Sequence, residues 1–284
     1  MKGGLYNCTK ITTVSPTYAN EIRTPEYGCG LDGVLRFRGA DLIGIINGVD
    51  TDAWNPQTDE FIAANYSLSD MKGKSACKKA LQKRLGLDVS AKKPVFGVVS
   101  RLYSQKGLDL LARIAGELVG HMDIQIAILG TGEHWLENAF SDLTAKFPGK
   151  ISAYIGFDNE LAHQIEAGSD FFIMPSRFEP CGLNQMYSMM YGTLPIVRAT
   201  GGLEDTVDQY SESTGSGDGF KFSDATCEAL YNTIGWACST WYDRPADIQK
   251  LRRNGMSKDF SWNKSAEKYA LVYKWAVGAR SARF

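Results

Sequence analysis

Long apolar runs are missing from this 284-residue sequence. Stretches such as Pro94–Val99 and Ile124–Leu129 stop far short of the roughly 20 residues that a membrane-spanning helix needs, so no membrane partner is expected. An excess of charge of one sign is missing too: 31 Lys and Arg stand against 32 Asp and Glu, a formal net charge of −1. Such a balance supplies no broad field for gripping nucleic acid, and any phosphate-bearing ligand must be held by a few placed groups. Histidine is scarce, with three scattered residues, and the six cysteines (8, 29, 77, 181, 227, 238) form no CxxC pair. No metal site and no metal cofactor are expected from that inventory. The cysteines read as reduced thiols of a cytoplasmic or plastid-stromal protein. The opening residues Met1–Leu5 carry no apolar segment ahead of a small-residue cleavage site, which is unlike a signal peptide.

What is present, from Lys93 onward, is an alternation of short apolar runs with amphipathic stretches. Strands are predicted over Pro94–Ser100, Ile124–Leu129, Ile151–Phe157, Phe171–Pro175 and Leu194–Arg198. Helices are predicted over Gly107–Val119, Glu133–Lys146, Asn159–Ala167 and Gly182–Tyr191, with another helical turn opened by Gly201-Gly202. Nearly continuous apolar strands in a βαβα order imply an α/β fold, a doubly wound parallel sheet covered on both faces. Ligands of such sheets bind beyond the carboxyl ends of the strands. The first fifty residues differ: Ile11–Pro16 and Ile43–Ile46 read as short strands and Tyr27–Asp41 as a Gly-rich loop, too little to bury a core alone. Helical stretches follow at Cys227–Tyr242, Pro245–Arg253 and Ser265–Trp275, and Ser211–Gly219 is the most loop-like tract.

Three segments at strand ends suit ligand chemistry. Ser100–Gly107 carries Arg101 and Lys106 about a turn before a helix; a forked guanidinium, a point charge and free helix-start N–H groups suit a diphosphate, and they equally suit a solvated basic loop. Ser176–Leu183 offers the carboxylate of Glu179 and, at Cys181–Leu183, backbone amides able to receive an anion; a helix-capping carboxylate is the plain alternative. Thr200-Gly201-Gly202 and Gly130-Thr131-Gly132 would let backbone approach a ligand, or are ordinary tight turns. Cys181 lacks a histidine nearby in sequence and reads as a structural thiol. His163 reads as a surface or capping histidine.

In this order the segments ITTVSPTYANEI (11–22), INGVDTDAWNP (46–56), VSRLYSQKGLDLL (99–111), PSRFEPCGLNQMYSMMYGTLPIVRATGGLEDTV (175–207) and FSW (260–262) resemble the bacterial glycogen synthase and plant starch synthase family over nearly the whole chain. The resemblance implies a GT-B architecture of two Rossmann-like domains with the active site between them. Residues 1–47 would be a remnant of the acceptor-side domain, 48–258 the nucleotide-sugar-binding domain, and 259–284 a helix crossing back. It implies transfer of glucose from ADP-glucose to the non-reducing end of an α-1,4-glucan with retention. Arg101 and Lys106 would hold the diphosphate and Glu179 the donor glucose. Cys181, Gly182 and Leu183, with Thr200 and Gly201, would line the phosphate side, near Gly130 and Gly132, and Phe157 would lie against the adenine. Glu179 and the position eight residues on resemble the paired glutamates of related retaining transferases, but that position is Tyr187. Met1–Leu5 looks like the family's Lys-x-Gly-Gly-Leu loop yet precedes the Val-Ser-Pro segment directly, where the family has an ordinary helix. The chain therefore reads as a fragment that lacks most of the N-terminal domain, with apolar surface exposed around Ile11–Val14 and the last helix, and with doubtful activity alone. The alternatives are a non-catalytic nucleotide- or glucan-binding module, and a UDP-glucose-dependent transferase.

Overall fold

A computed structural model describes residues 1–281. The chain opens with α1 (Lys2–Asn7), β1 (Ile11–Thr13), α2 (Pro16–Glu21), α3 (Asp32–Phe37) and β2 (Leu42–Gly44). β1 and β2 pair in parallel, Ile11 opposite Leu42, over a small core of Ile11, Ala19, Ile22, Val34, Leu35 and Leu42. The piece thus buries more than its sequence suggests. Ile11 is inside, and two helices replace the expected loop and the end of the expected strand. The start of α2 has a local cause: Ser15 Oγ accepts from Tyr18 N at 2.8 Å, and Pro16 occupies the first turn, where a missing N–H costs nothing.

A 13-residue helix, α4 (Lys72–Arg84), leads into the main unit. There β3 (Val95–Val99), α5 (Leu108–His121), β4 (Gln125–Gly130), α6 (His134–Lys146), β5 (Ile151–Ile155), α7 (Asn159–Gly168), β6 (Phe171–Met174), α8 (Asn184–Met190), β7 (Leu194–Arg198), α9 (Gly201–Thr206) and β8 (Phe220–Phe222) alternate along the chain. The six strands form one parallel sheet in the order β5-β4-β3-β6-β7-β8. The winding reverses between β3 and β6, so the loops after these two strands diverge and leave a crevice at their carboxyl ends. The strands are buried on both faces: Phe96, Val98, Ile126, Ile128, Phe171 and Ile196 pack with α5, α6 and α10 (Cys227–Asp243), whereas Val95, Ala127, Leu129 and Phe172 pack with α4 and α7.

Two helices close the fold, α11 (Pro245–Met256) and α12 (Trp262–Ser281). The start of α12 locks onto the junction after β2. Val49 N donates to Phe260 O at 2.8 Å and Ser265 Oγ to Ile46 O at 2.6 Å, while a Cβ on Gly48 would lie 2.4 Å from Trp262 Cα. Farther along α12, Tyr273 and Val277 are more than two-thirds exposed. No helix among the described residues is long and apolar enough to cross a membrane.

Candidate active site

The crevice at the switch point is built by the loops after β3 and β6. Gly107 makes their contact possible: its φ is +70°, and a Cβ there would sit 1.9 Å from Pro175 O. Arg177 then clamps the two loops together. Its guanidinium takes both carboxylate oxygens of Asp109 (2.5 and 2.9 Å) and Ser104 O (2.6 Å), and the backbone N–H of Arg177 donates to Gln105 O. So fixed, Lys106 Nζ lies 2.6 Å from Glu179 Oε2, which also accepts from Ser176 Oγ at 3.1 Å. Glu179 is 6% exposed, a carboxylate drawn out of water and held by an ammonium.

A cavity of about 170 Å³ opens on this pair. Arg101, Lys106, Glu179, Gly182, Leu183 and Asn184 line it. Arg101 comes free to the cavity: among the described residues its guanidinium makes no ion pair, and it rests 5.4 Å over the Tyr103 ring. The backbone amides of Gly182 and Leu183 donate no hydrogen bond to a described residue. Gln185 explains how they are kept so, because its Nε2 holds the carbonyls of Cys181 and Gly182 at 3.1 Å each and turns the peptide units over. Gly182 does not open α8, as the sequence suggested; it takes φ +70° two residues earlier, and the helix begins at Asn184. Asn184 is a member of the site that sequence reasoning missed, with Nδ2 on Val99 O at 2.7 Å. Its place directly after Cys-Gly-Leu was the available signal.

The remaining candidates fall elsewhere. Cys181 is buried behind the lining, and burial pushes its thiol up, which disfavours a nucleophilic thiolate. Gly130 and Gly132 serve chain-to-chain packing: a Cβ on either would meet Ser100 O at 2.0 Å or Leu102 O at 2.3 Å, and the Gly132 amide is taken by Glu137 Oε1 at 2.8 Å. Thr200 Oγ1 and Gly201 N are taken as well, both by Glu21 Oε1 from α2 (2.8 and 2.9 Å), so the structure does not bring them to the cavity. Glu21 had no signal in sequence, since 179 positions separate it from Thr200. Phe157 lies outside the cavity on the rim beyond β5, 88% exposed. Tyr187, where a second carboxylate was weighed, stacks on Trp54 with centroids 4.1 Å apart. His163 is not at the surface; it is 3% exposed, stacked on the other side of Trp54 at 3.8 Å, and its Nδ1 meets Asp59 Oδ2 at 2.8 Å. Trp54 and Asp59 belong to a stretch without regular structure, which is why periodicity could not foresee that burial. No group of three or more His, Cys, Asp or Glu suited to a metal ion occurs among the described residues.

Two family models match this sequence: Starch synthase catalytic domain over residues 1–37, and Glycosyl transferases group 1 over residues 82–251, more than half of the chain. The chain belongs to the group 1 glycosyl transferases. This glycosyl transferase is similar to Glycogen synthase 1 of Geobacter sulfurreducens, with 52% identity over 280 residues, 99% of this chain and 56% of that protein. It is 47% identical over 286 residues to the glycogen synthase of Treponema denticola, covering 99% of this chain and 58% of that one. In structure it is similar to the catalytic domain of starch synthase IV from Arabidopsis thaliana bound to ADP and acarbose, with a TM-score of 0.91 at 37% identity over 98% of this chain and 57% of that one. The chain thus spans a little over half the length of the relatives it matches. The likeness places it in a Rossmann-like α/β glycosyl transferase fold.

Proposed function

We propose that this chain binds ADP-glucose and forms the donor side of a retaining glucosyl transfer to the non-reducing end of an α-1,4-glucan. The observation that carries the reading is the Lys106–Glu179 contact of 2.6 Å in the switch-point cavity, with Arg101 around it and two amides that no described residue takes. As the bond between the anomeric carbon and the diphosphate breaks, negative charge grows on the leaving oxygens. Arg101, Lys106 and the amides of Gly182 and Leu183 are fixed before that charge appears, so they stabilise it without reorganising. With two cations present, this reading needs no metal. Glu179 accepts hydrogen bonds from hydroxyls of the donor glucose, while the 2.6 Å contact with Lys106 holds its side chain in place. The relatives' names, and the ADP and acarbose bound to the Arabidopsis enzyme, support a choice of adenine nucleotide and α-glucan.

Calorimetric titration with ADP and with UDP tests this. ADP should bind more tightly than UDP, and Arg101→Ala/Lys106→Ala should weaken ADP by roughly 100-fold or more, about 3 kcal/mol for two charge-assisted contacts. Tighter binding of UDP, or ADP binding unchanged in the double variant, would overturn the reading.

A further inference from the structure

A second cavity lies at the opposite edge of the sheet. It has a volume of about 620 Å³ and sits at the amino ends of β3 and β6, walled by α4, α10 and α11. Lys74, Lys78, Lys79 and Arg252 line it against a single carboxylate, Asp170. That carboxylate is already engaged on both oxygens: Oδ1 accepts from Arg252 at 2.7 Å, and Oδ2 takes Lys78 at 2.7 Å and Val95 N–H at 3.0 Å. Lys79 is exposed at the rim and forms no ion pair among the described residues. Arg252 is 9% exposed, and its Nε–H is buried with no hydrogen-bond partner among the described residues. A buried guanidinium N–H left unpaired is costly, and an oxygen acceptor would satisfy it.

The positive excess also shows in Lys74. Its ammonium donates to Ala167 O, Tyr191 O and Thr193 Oγ1, and burial, reinforced by the charge of Arg252, pulls its pKa down to about 7. Glu166, beside it, does not restore the balance; burial pushes that carboxyl well above the usual carboxylate range despite a 2.6 Å hydrogen bond from Ser188. The rest of the wall is uncharged, and Trp241 is its one aromatic ring among the described residues. The Trp241 ring is held by a hydrogen bond from Nε1 to Lys92 O (2.8 Å) and lies 4.8 Å from Lys78 Nζ and 5.4 Å from the Arg252 guanidinium.

We propose that this cavity binds a phosphomonoester, the phosphoryl oxygens on Arg252 Nε, Lys78 and Lys79 and the small organic body against Trp241. The cations suit a compact dianion, and an aromatic face beside them suits a sugar ring. The site stands apart from the switch-point cavity, on the other edge of the sheet, and the inference does not depend on the donor assigned there.

The test uses the Arg101→Ala/Lys106→Ala chain, so that the carboxyl-edge cations cannot answer. Calorimetry with a hexose monophosphate, with inorganic phosphate and with the unphosphorylated hexose should give binding in that order of strength, the last undetectable. Charge reversal at the rim, Lys79→Glu with Ser90→Asp, leaves the Asp170 ion pairs intact and should weaken the hexose phosphate by roughly tenfold or more. Arg252→Gln should abolish binding; because it also loosens Asp170, the rim variant decides if the Arg252 variant does not fold. No binding by the folded chain, affinity unchanged in the rim variant, or equal affinity for inorganic phosphate and the hexose phosphate would each overturn the proposal.

Discussion

The two edges of the central sheet solve opposite problems with the same strands. At the carboxyl edge, loops meet through glycine, and what they present is mostly backbone plus three side chains, Arg101, Lys106 and Glu179. At the amino edge, helices meet through long polar side chains. Lys74, Lys78, Asp59, His163, Glu166, Asp170, Tyr191 and Arg252 are all buried there or close by, and almost every polar atom is paired. The carboxyl edge keeps donors free for an incoming anion. The amino edge spends most of its donors on holding α4, α7, α8 and α11 to the sheet, and leaves Arg252 Nε and Lys79 over. Position in the fold thus separates an edge that keeps most of its donors available from one that keeps most of them occupied, although both edges are cationic.

The hardest way to break that contrast is to unpair the amino edge. Asp59 Oδ2 receives His163 Nδ1 at 2.8 Å and Tyr191 OH at 2.5 Å, with all three groups buried. Asp59→Ala should cost about 3–5 kcal/mol of stability in urea denaturation, because two buried polar groups lose their partner. Burial pushes the Asp59 carboxyl up, but the hydrogen bonds from His163 and Tyr191 outweigh it and hold the pKa below its ordinary value. A lowered folded pKa means the increment is present above the ordinary carboxylate value near 4 and fades as pH falls through the folded value. The wild-type chain should therefore lose this increment below about pH 4, and the variant should have none to lose.

Legibility in sequence follows the same division. The strands of the main sheet were readable from Pro94 to Arg198 because burial on both faces leaves unbroken apolar runs. Arg101, Lys106, Glu179 and Gly182 were readable because each lies in the loop that follows a strand end, where a parallel sheet binds ligands. The amino edge was not, since Lys78, Asp170 and Arg252 meet across 92 and 82 positions of chain with no local pattern to announce it. The same holds for Glu21 on Thr200. The α2 helix, by contrast, carried its cap and proline in plain view, and the apolar residues of Ile11–Val14 masked them.

Lys74 tests the amino edge through pH. With its folded pKa drawn down to about 7, the unfolded chain binds this proton and the folded chain does not from pH 7 up to the ordinary lysine value. Stability should therefore rise with pH across that window, by at most about 1.4 kcal/mol per pH unit, and so on the order of 2 kcal/mol between pH 7 and pH 9. Lys74→Met should remove that rise; a variant whose urea midpoint climbs with pH as steeply as the wild type's would assign the rise to another group.

At the carboxyl edge a smaller change should damage function before stability. Gly201 has φ +45°, and a Cβ there would lie 2.0 Å from Glu179 O. Gly201→Ala should destabilise the chain by about 1–2 kcal/mol through strain and forced separation of two loops. It should also weaken ADP by more than that loss of stability explains, because Glu179 is displaced from Lys106. If binding survives intact, the position of the Glu179 backbone does not govern the site.

The smallest effect belongs to Phe157. It is 88% exposed and outside the cavity, so Phe157→Ala should leave stability within about 0.5 kcal/mol of wild type. Its proposed role is to lie against the adenine, an offset aromatic contact of about 0.5–1.5 kcal/mol, which amounts to a loss of roughly 2- to 12-fold in ADP affinity. A ring this exposed in the free chain gains from being covered, whereas the cations gain from neutralisation, so the two contributions separate by salt. Raising ionic strength should weaken ADP binding through Arg101 and Lys106 and leave the wild-type to Phe157→Ala ratio nearly constant. A ratio that collapses with salt would mean that Phe157 acts by arranging charge rather than by stacking.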